Sequence, residues 1–407
     1  MRMITSFSLA ALPQLWVGSH ALEFLPKWLY DKGYCEVLVC IGGSSFEAAG
    51  HLVTLMKGCR KKGIKINTEH VSGEPSPALI DAMTKNYWGS NINCVVGIGG
   101  GSVIDAAKAA AAMIGESKQL GVSSHITDYL EGVGTKSPTG CRIGLVAVPT
   151  TSGTGSEATK NAVISSVGTL GFKKSLRHTN YIPDIALLDG SLVTSCPPHI
   201  SSASGLDAVT QLLEAYVSTK ATPFTDVLAL DGLGRAGMVL EGIVDGSLSN
   251  SVDARTTMAY AAYLSGVALA NANLGVVHGA ASALGSFRTI PHGVVCGTLL
   301  YTATEAIIHH LKGEEGSAAG TALGKYSKAG YSLTGVTPDA SVQNTSKGLE
   351  LLLHRLKQWE EQFAVPQLGA YEFTVEDIKR LAPKVGLKNT PANLTSTEVE
   401  TLLLERL

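Results

Sequence analysis

Charge is scarce in this sequence. Only 16% of its 407 residues are Asp, Glu, Lys or Arg, against roughly 25% in an average soluble chain. The 32 Lys+Arg nearly balance 34 Asp+Glu, and no basic block stands out, so a nucleic-acid partner is not expected. No window holds 18 uninterrupted apolar residues, which argues against a membrane-spanning helix. The opening MRMITSFSLAALPQLWVG has one Arg and is broken by Ser8 and Pro13, too short and interrupted for a secretory core. The seven cysteines include no CxxC pair; an odd, scattered set reads as reduced thiols in a cytoplasmic protein. Asn344-Thr-Ser and Asn393-Leu-Thr are then chance matches to the glycosylation pattern.

What is present is apolar residues and glycine. Hydrophobic residues make up 45%, enough for a packed core and too many for general disorder. With so little charge, part of the surface is expected to be hidden in a homodimer or larger homo-oligomer. The length predicts two or three domains.

The chain changes grammar near Asp189–Pro197. Before it, short β-type runs alternate with helical stretches: CEVLVCIGG (35–43), IKINTEHV, NCVVGIGGG (93–101), RIGLVAVPTT (142–151) and PDIALLD (183–189). That pitch predicts βαβ units and a mainly parallel sheet, with ligands beyond the C-terminal strand ends. After it, apolar residues recur at 3.6-residue spacing, as in Leu349, Leu352, Leu353, Leu356 and Phe363. Thr374-x-x-Asp377 and Thr395-x-x-Glu398 predict capping boxes. The expectation is an α/β dinucleotide-binding domain over 1–192 and an all-helical domain over 193–407.

Three strand ends carry glycine or hydroxyl-rich loops. Gly99, Gly100, Gly101 and Ser102 open a helix, where glycines at positive φ would let backbone approach a phosphate and the helix N-terminus would favour an anion. A plain tight turn is the alternative, because a third fingerprint glycine is missing. All seven residues of 150–156 are Ser, Thr or Gly, suited to phosphate, ribose or an amide. At Gly42, Gly43, Ser44 and Ser45 no carboxylate occurs before Glu47, which leaves room for a 2′-phosphate and tilts the cofactor towards NADP over NAD. Asp105 and Lys108 are expected to pair on their helix.

Asp207 and Gln211 stand at i and i+4, followed by His278 and, after Pro291, His292. One carboxylate, two imidazoles and an amide could form a mixed N/O site for a divalent ion. Read singly, each has a plainer reading that spacing alone favours: Asp207 as an N-cap, and His278 and His292 as partly buried hydrogen-bonders. His309-His310 reads as surface.

Together GGGSVIDAAKA, PTTSGTGSEAT, P-x-x-ALLD, GLDAVTQLLEAYVS and GVVHGAAS…IPHGVVCGTLL resemble the iron-containing (group III) alcohol dehydrogenase family. The resemblance implies a Rossmann-like domain, a helical domain, and a cleft holding nicotinamide cofactor and metal. It implies cofactor contacts from Gly99–Ser102, Asp105, Thr150, Thr151, Ser152, Lys160 and Leu188. Metal ligands would fall on Asp207, Gln211, His278 and His292, binding Fe2+ or Zn2+. Two departures stand out: Gln211 replaces the usual histidine, and Ser282 a further one. The implied activity is hydride transfer between NAD(P) and a small primary alcohol or aldehyde. One alternative is a lyase of the dehydroquinate synthase type, which would need several cleft cations for a phosphorylated substrate. The stretches around Asp207 and 278–292 offer only Arg288. A non-catalytic nucleotide-binding protein is the other alternative.

Overall fold

A computed structural model describes residues 6–337 and 345–407; Asn344 lies outside the described residues. Six parallel strands form one sheet in the order β1-β8-β5-β4-β2-β3. They are β1 (Gln14–Val17), β2 (Glu36–Gly42), β3 (Lys65–Val71), β4 (Cys94–Gly99), β5 (Gly144–Pro149) and β8 (Ile185–Leu188). β4 is buried throughout and β2 and β5 nearly so, as expected of a parallel sheet covered on both faces. The helices around it are α1 (Ala21–Asp31), α2 (Ser45–Ala48), α3 (His51–Lys61), α4 (Pro77–Tyr87) and α5 (Gly101–Leu120). The chain reverses its winding between β2 and β4, so the glycine-rich strand ends Gly42 and Gly99 are neighbours at the topological switch point.

The alanine run of α5 exists to lie close on this sheet. A Cβ at Gly97 would stand 2.8 Å from the Ala107 Cβ, so neither position tolerates a larger side chain without moving the helix.

Past β8 the structure is helical: α6 (Pro198–Val217), α7 (Pro223–Val244), α8 (Val252–Ala272), α9 (Val276–Phe287), α10 (His292–Gly313), α11 (Ser317–Thr334), α12 (Thr345–Gln362), α13 (Val375–Leu381) and α14 (Ser396–Leu404). α6 is buried along nearly its whole length, packed by α7, α8 and α10, which is why apolar residues occupy all its faces. Asp207 sits in its middle, so it is not an N-cap. Both capping boxes form, on Thr374 with Asp377 and Thr395 with Glu398. Among the described residues no single helix is long and apolar enough to cross a membrane.

Two features escaped the sequence reading. β1 adds a parallel edge strand beside β8. β6 (Asn161–Ser166) and β7 (Phe172–Arg177) form a separate antiparallel hairpin. Asn161 and Val163 on one strand, and Lys173, Ser175 and Arg177 on the other, line the main cleft. Alternation along a strand puts every second side chain on one face.

Candidate active site

A largely buried polar cluster gathers side chains from three helices. His278 is the third residue of α9, and its Nδ1 lies 2.7 Å from Glu214 Oε2 on α6. The same carboxylate accepts the Gly275 and Val277 amides at 2.9 and 2.7 Å. Glu214 thus caps the N-terminus of α9 and turns the His278 ring. This points Nε2 at Asp207 Oδ1, 3.4 Å away. His292 begins α10 directly after Pro291 and places its Nε2 3.7 Å from the same oxygen.

The sequence reading missed the fourth member. Cys296 is one turn beyond His292, with Sγ 3.7 Å from His278 Nε2 and 3.8 Å from His292 Nε2. The spacing His292-x-x-x-Cys296 was the available signal. One ligand atom from each of Asp207, His278, His292 and Cys296 lies within 4.8 Å of the others. Tetrahedral bonds of roughly 2.0–2.3 Å put neighbouring donors roughly 3.3–3.8 Å apart, so these separations suit a divalent ion. Asp207 Oδ1 and Gln211 Oε1 are buried without a hydrogen-bond partner, a costly state that a cation would relieve. The donors present fit the metal that the resemblance implies.

Charge is distributed accordingly. Burial opposes ionising Asp207, but His292 and His278 outweigh it and hold the carboxyl at about 2. Burial likewise opposes a charged His278, yet Cys296, Asp207 and Glu214 raise it well above the usual imidazole range. His292 is pushed down by burial, leaving a neutral ring. Burial pushes the Cys296 thiol up to about 12.

The main cleft joins this cluster to the α5 turn: Gly101, Ser102, Asp105, Gln211, His278 and His292 share its lining. A smaller cavity brings Ser45 together with Thr150 and Thr151. Ser152 is buried and faces Ser201 and Arg255 in another recess. Lys160 is partly exposed between the cleft residues Thr159 and Asn161, and Leu188 is buried at the end of β8. Gly43 has φ +45, but Gly99, Gly100 and Gly101 do not have positive φ, contrary to expectation. They are glycines for space. A Cβ would meet Val103 Cγ2 at 2.5 Å from Gly99, and Thr154 Oγ1 at 2.5 Å from Gly101.

Asp105 does pair with Lys108, at 3.2 Å, and also bonds Ser156 and the Val163 amide. Lys108 is wholly buried and donates to the Ser156 carbonyl and Thr159 Oγ1, both at 2.9 Å. These two residues anchor the hydroxyl-rich loop. His309 is exposed, whereas His310 is half-buried between Glu398 and Glu314, at 2.9 and 3.1 Å.

The expectation about cleft cations is corrected. Arg288 pairs with Asp377 at 2.9 Å and lies over Phe287 and Phe373, and it does not line the cleft. Lys173, Arg177 and Lys388 do. They come from the unread hairpin and from a loop far along the chain, so no local pattern announced them.

An α/β half with glycine loops at its switch point, facing buried carboxylate, imidazole and thiol donors on helices, is the layout of a metal-dependent, dinucleotide-dependent oxidoreductase. Residues 13–190 match the family described as iron-containing alcohol dehydrogenase, and residues 201–407 the C-terminal domain of the Fe-containing alcohol dehydrogenase family. The chain belongs to the iron-containing alcohol dehydrogenase family, and is an NAD(P)-dependent alcohol oxidoreductase. It is 34% identical over 309 residues to alcohol dehydrogenase 4 of Saccharomyces cerevisiae, covering 75% of this chain and 76% of the relative. It is 31% identical over 288 residues to an NADPH-dependent butanol dehydrogenase of Clostridium saccharobutylicum, 70% of each chain. A halo-thermophilic archaeal alcohol dehydrogenase from a Red Sea brine pool shares its fold over 100% of both chains, with TM-score 0.87 and 21% identity.

Proposed function

We propose that this protein interconverts a small primary alcohol and its aldehyde by hydride exchange with NADP(H), beside a divalent ion held by Asp207, His278 and His292. The observation that carries the reading is the donor cluster, which opens into the cleft containing Gly101 and Ser102. Cys296 supplies a soft fourth donor that favours zinc over iron, and the amide of Gln211 a weaker oxygen. The ion, when bound, supplies Lewis acidity that polarises the substrate oxygen. The nicotinamide supplies or accepts the hydride.

The chain's own residues do the rest. Glu214 orients His278 through Nδ1 and keeps Nε2 free for the ion. The first turn of α5, from Gly99 to Ser102 with Asp105 beneath it, receives the pyrophosphate. Thr150 and Thr151 line the approach, Ser152 is buried against Ser201 and Arg255, and Lys160 and Leu188 flank the nicotinamide side. Gly42, Gly43, Ser44 and Ser45 offer hydroxyls and no carboxylate, which supports NADPH over NADH. The cleft aligns the two carbons, and the proton exchanges with cleft water. We assign residues 1–192 to the cofactor half and 193–407 to the metal and substrate half. Seven free thiols support a cytoplasmic setting, and the low charge supports a homo-oligomer.

The test is metal analysis and NADPH turnover with short aldehydes. Wild type is expected to bind one divalent ion per chain and to lose turnover with chelator. His278→Ala is expected to lose both ion and turnover; a variant with full metal content would remove His278 from the site.

A further inference from the structure

The side of the cleft away from the cofactor loops is positively charged to a degree that a neutral alcohol does not require. Lys173, Ser282 and Lys388 line both the main cleft and an adjoining cavity of about 340 Å³. That second cavity is also walled by Lys174, Arg380 and Lys384, and no Asp or Glu lines it among the described residues. Lys173 is paired with Glu74. Arg177, on the cleft side, meets Glu131 at 3.3 Å. Lys388, Lys384 and Lys174 make no side-chain hydrogen bond or ion pair within the described residues, and Arg380 only lies over Phe287. In a chain this poor in charge, a cavity lined by four lysines and an arginine and by no carboxylate is a concentration that a neutral substrate does not call for, even though Glu74 pairs with Lys173 and Glu214 acts on Lys388 through space.

Its position ties it to the reacting centre. Ser282 is one helical turn after His278, and its hydroxyl donates to the His278 carbonyl at 2.8 Å, leaving oxygen lone pairs and a small side chain at the junction of the two cavities. Lys388 is held at φ +51, an unusual conformation for a residue other than glycine. Its neighbour Asn389 ties the loop down, its amide bonding the Leu274 carbonyl at 3.0 Å just before α9. The cavity that holds Ser45, Thr150 and Thr151 shares no lining residue with the cationic one, so these cations do not serve the adenosine end of the cofactor.

Resting on the dehydrogenase reading, we propose that the preferred substrate is a short aldehyde, or its alcohol, that carries an anionic group. The aldehyde end lies at His278 and His292, and the anion is received by Lys388 with Ser282, inside the field of Lys384, Arg380 and Lys174. Carboxylate, sulfonate and phosphonate share the required chemistry: a compact anion that accepts several hydrogen bonds.

The test uses the metal-loaded enzyme with NADPH and shape-matched aldehyde pairs. Sulfoacetaldehyde and phosphonoacetaldehyde are each compared with neutral 3,3-dimethylbutanal, and succinic semialdehyde with 4-methylpentanal. Wild type is expected to reduce at least one anionic member with kcat/KM tenfold or more above its neutral match, and the best arm names the anion. That advantage should shrink as salt rises. Lys388→Met is expected to lower the anionic-to-neutral ratio at least tenfold, mainly through KM, and Lys388→Arg to restore part of it. Lys384→Met, a solvent-side change, should lower the same ratio less. Neutral aldehydes reduced as well as their anionic matches by wild type would overturn this inference and leave the dehydrogenase reading standing. Reduction of no aldehyde by the metal-loaded enzyme would overturn both.

Discussion

Cys296 is the residue at which this site departs most from a carboxylate and imidazole set. Its sulfur is equidistant, within 0.1 Å, from the two Nε2 atoms at 3.7 and 3.8 Å. A thiolate donor gives cobalt(II) a sulfur-to-metal absorption in the near ultraviolet. Cobalt-loaded wild type is expected to show it and Cys296→Ser to lack it; an unchanged spectrum would take Cys296 out of the coordination sphere. Glu214 acts one shell further out. Replacing its carboxylate by an amide in Glu214→Gln weakens both the hold on His278 Nδ1 and the cap of α9. Metal affinity is expected to fall roughly 10- to 100-fold, read by chelator competition. Glu157 offers a test by pH. It is buried, and desolvation raises its carboxyl to about 7. A raised acid pKa means that the stability of the protonated form is present below the unfolded value near 4.5 and is lost as pH rises through about 7. Glu157→Gln is therefore expected to gain on wild type between those pH values, by at most about 3 kcal/mol. Melting curves at pH 5 and pH 8 that shift equally would refute it.

At the scale of elements, the close fit between the first turn of α5 and the hydroxyl-rich loop matters most. A Cβ at Gly101 already collides with Thr154, so Gly101→Val must displace the loop as well as fill the anion site. Loss of NADPH binding is expected, with at least a hundredfold rise in Kd by fluorescence titration; a folded variant that binds normally would remove this turn from the cofactor site. The glycines of this turn were legible in the sequence, yet their reason was not. None of the three has a positive φ, and the missing side chains are explained by close neighbours: Thr154 of the loop at Gly101, and Val103 of α5 itself at Gly99. The β6–β7 hairpin shows the opposite failure. Its strands are as long as β4 and β5 but lie between motifs that are easier to read, and their alternation becomes meaningful only when one face is seen to line the cleft.

Taken whole, the molecule separates its two tasks. Cofactor-type loops hang from the parallel sheet, and every candidate metal donor stands on α6, α9 or α10. The order of β-type runs, the change of grammar near Asp189–Pro197, the capping boxes and the motif set were determined by the sequence itself. Each depends on local spacing and backbone preference, which a linear string carries directly. Asp207, His278 and His292 could be named as candidates for the same reason. Their meeting point was a tertiary decision, because it requires α6 to be buried between α7, α8 and α10 so that His278 can turn onto Glu214. So was Cys296, a plain buried thiol until α10 points it back at two imidazoles. The cationic wall was decided latest of all: Lys173 and Lys388 are separated by more than two hundred positions. Charge acts through space, and only the folded chain sets which charges share a cavity.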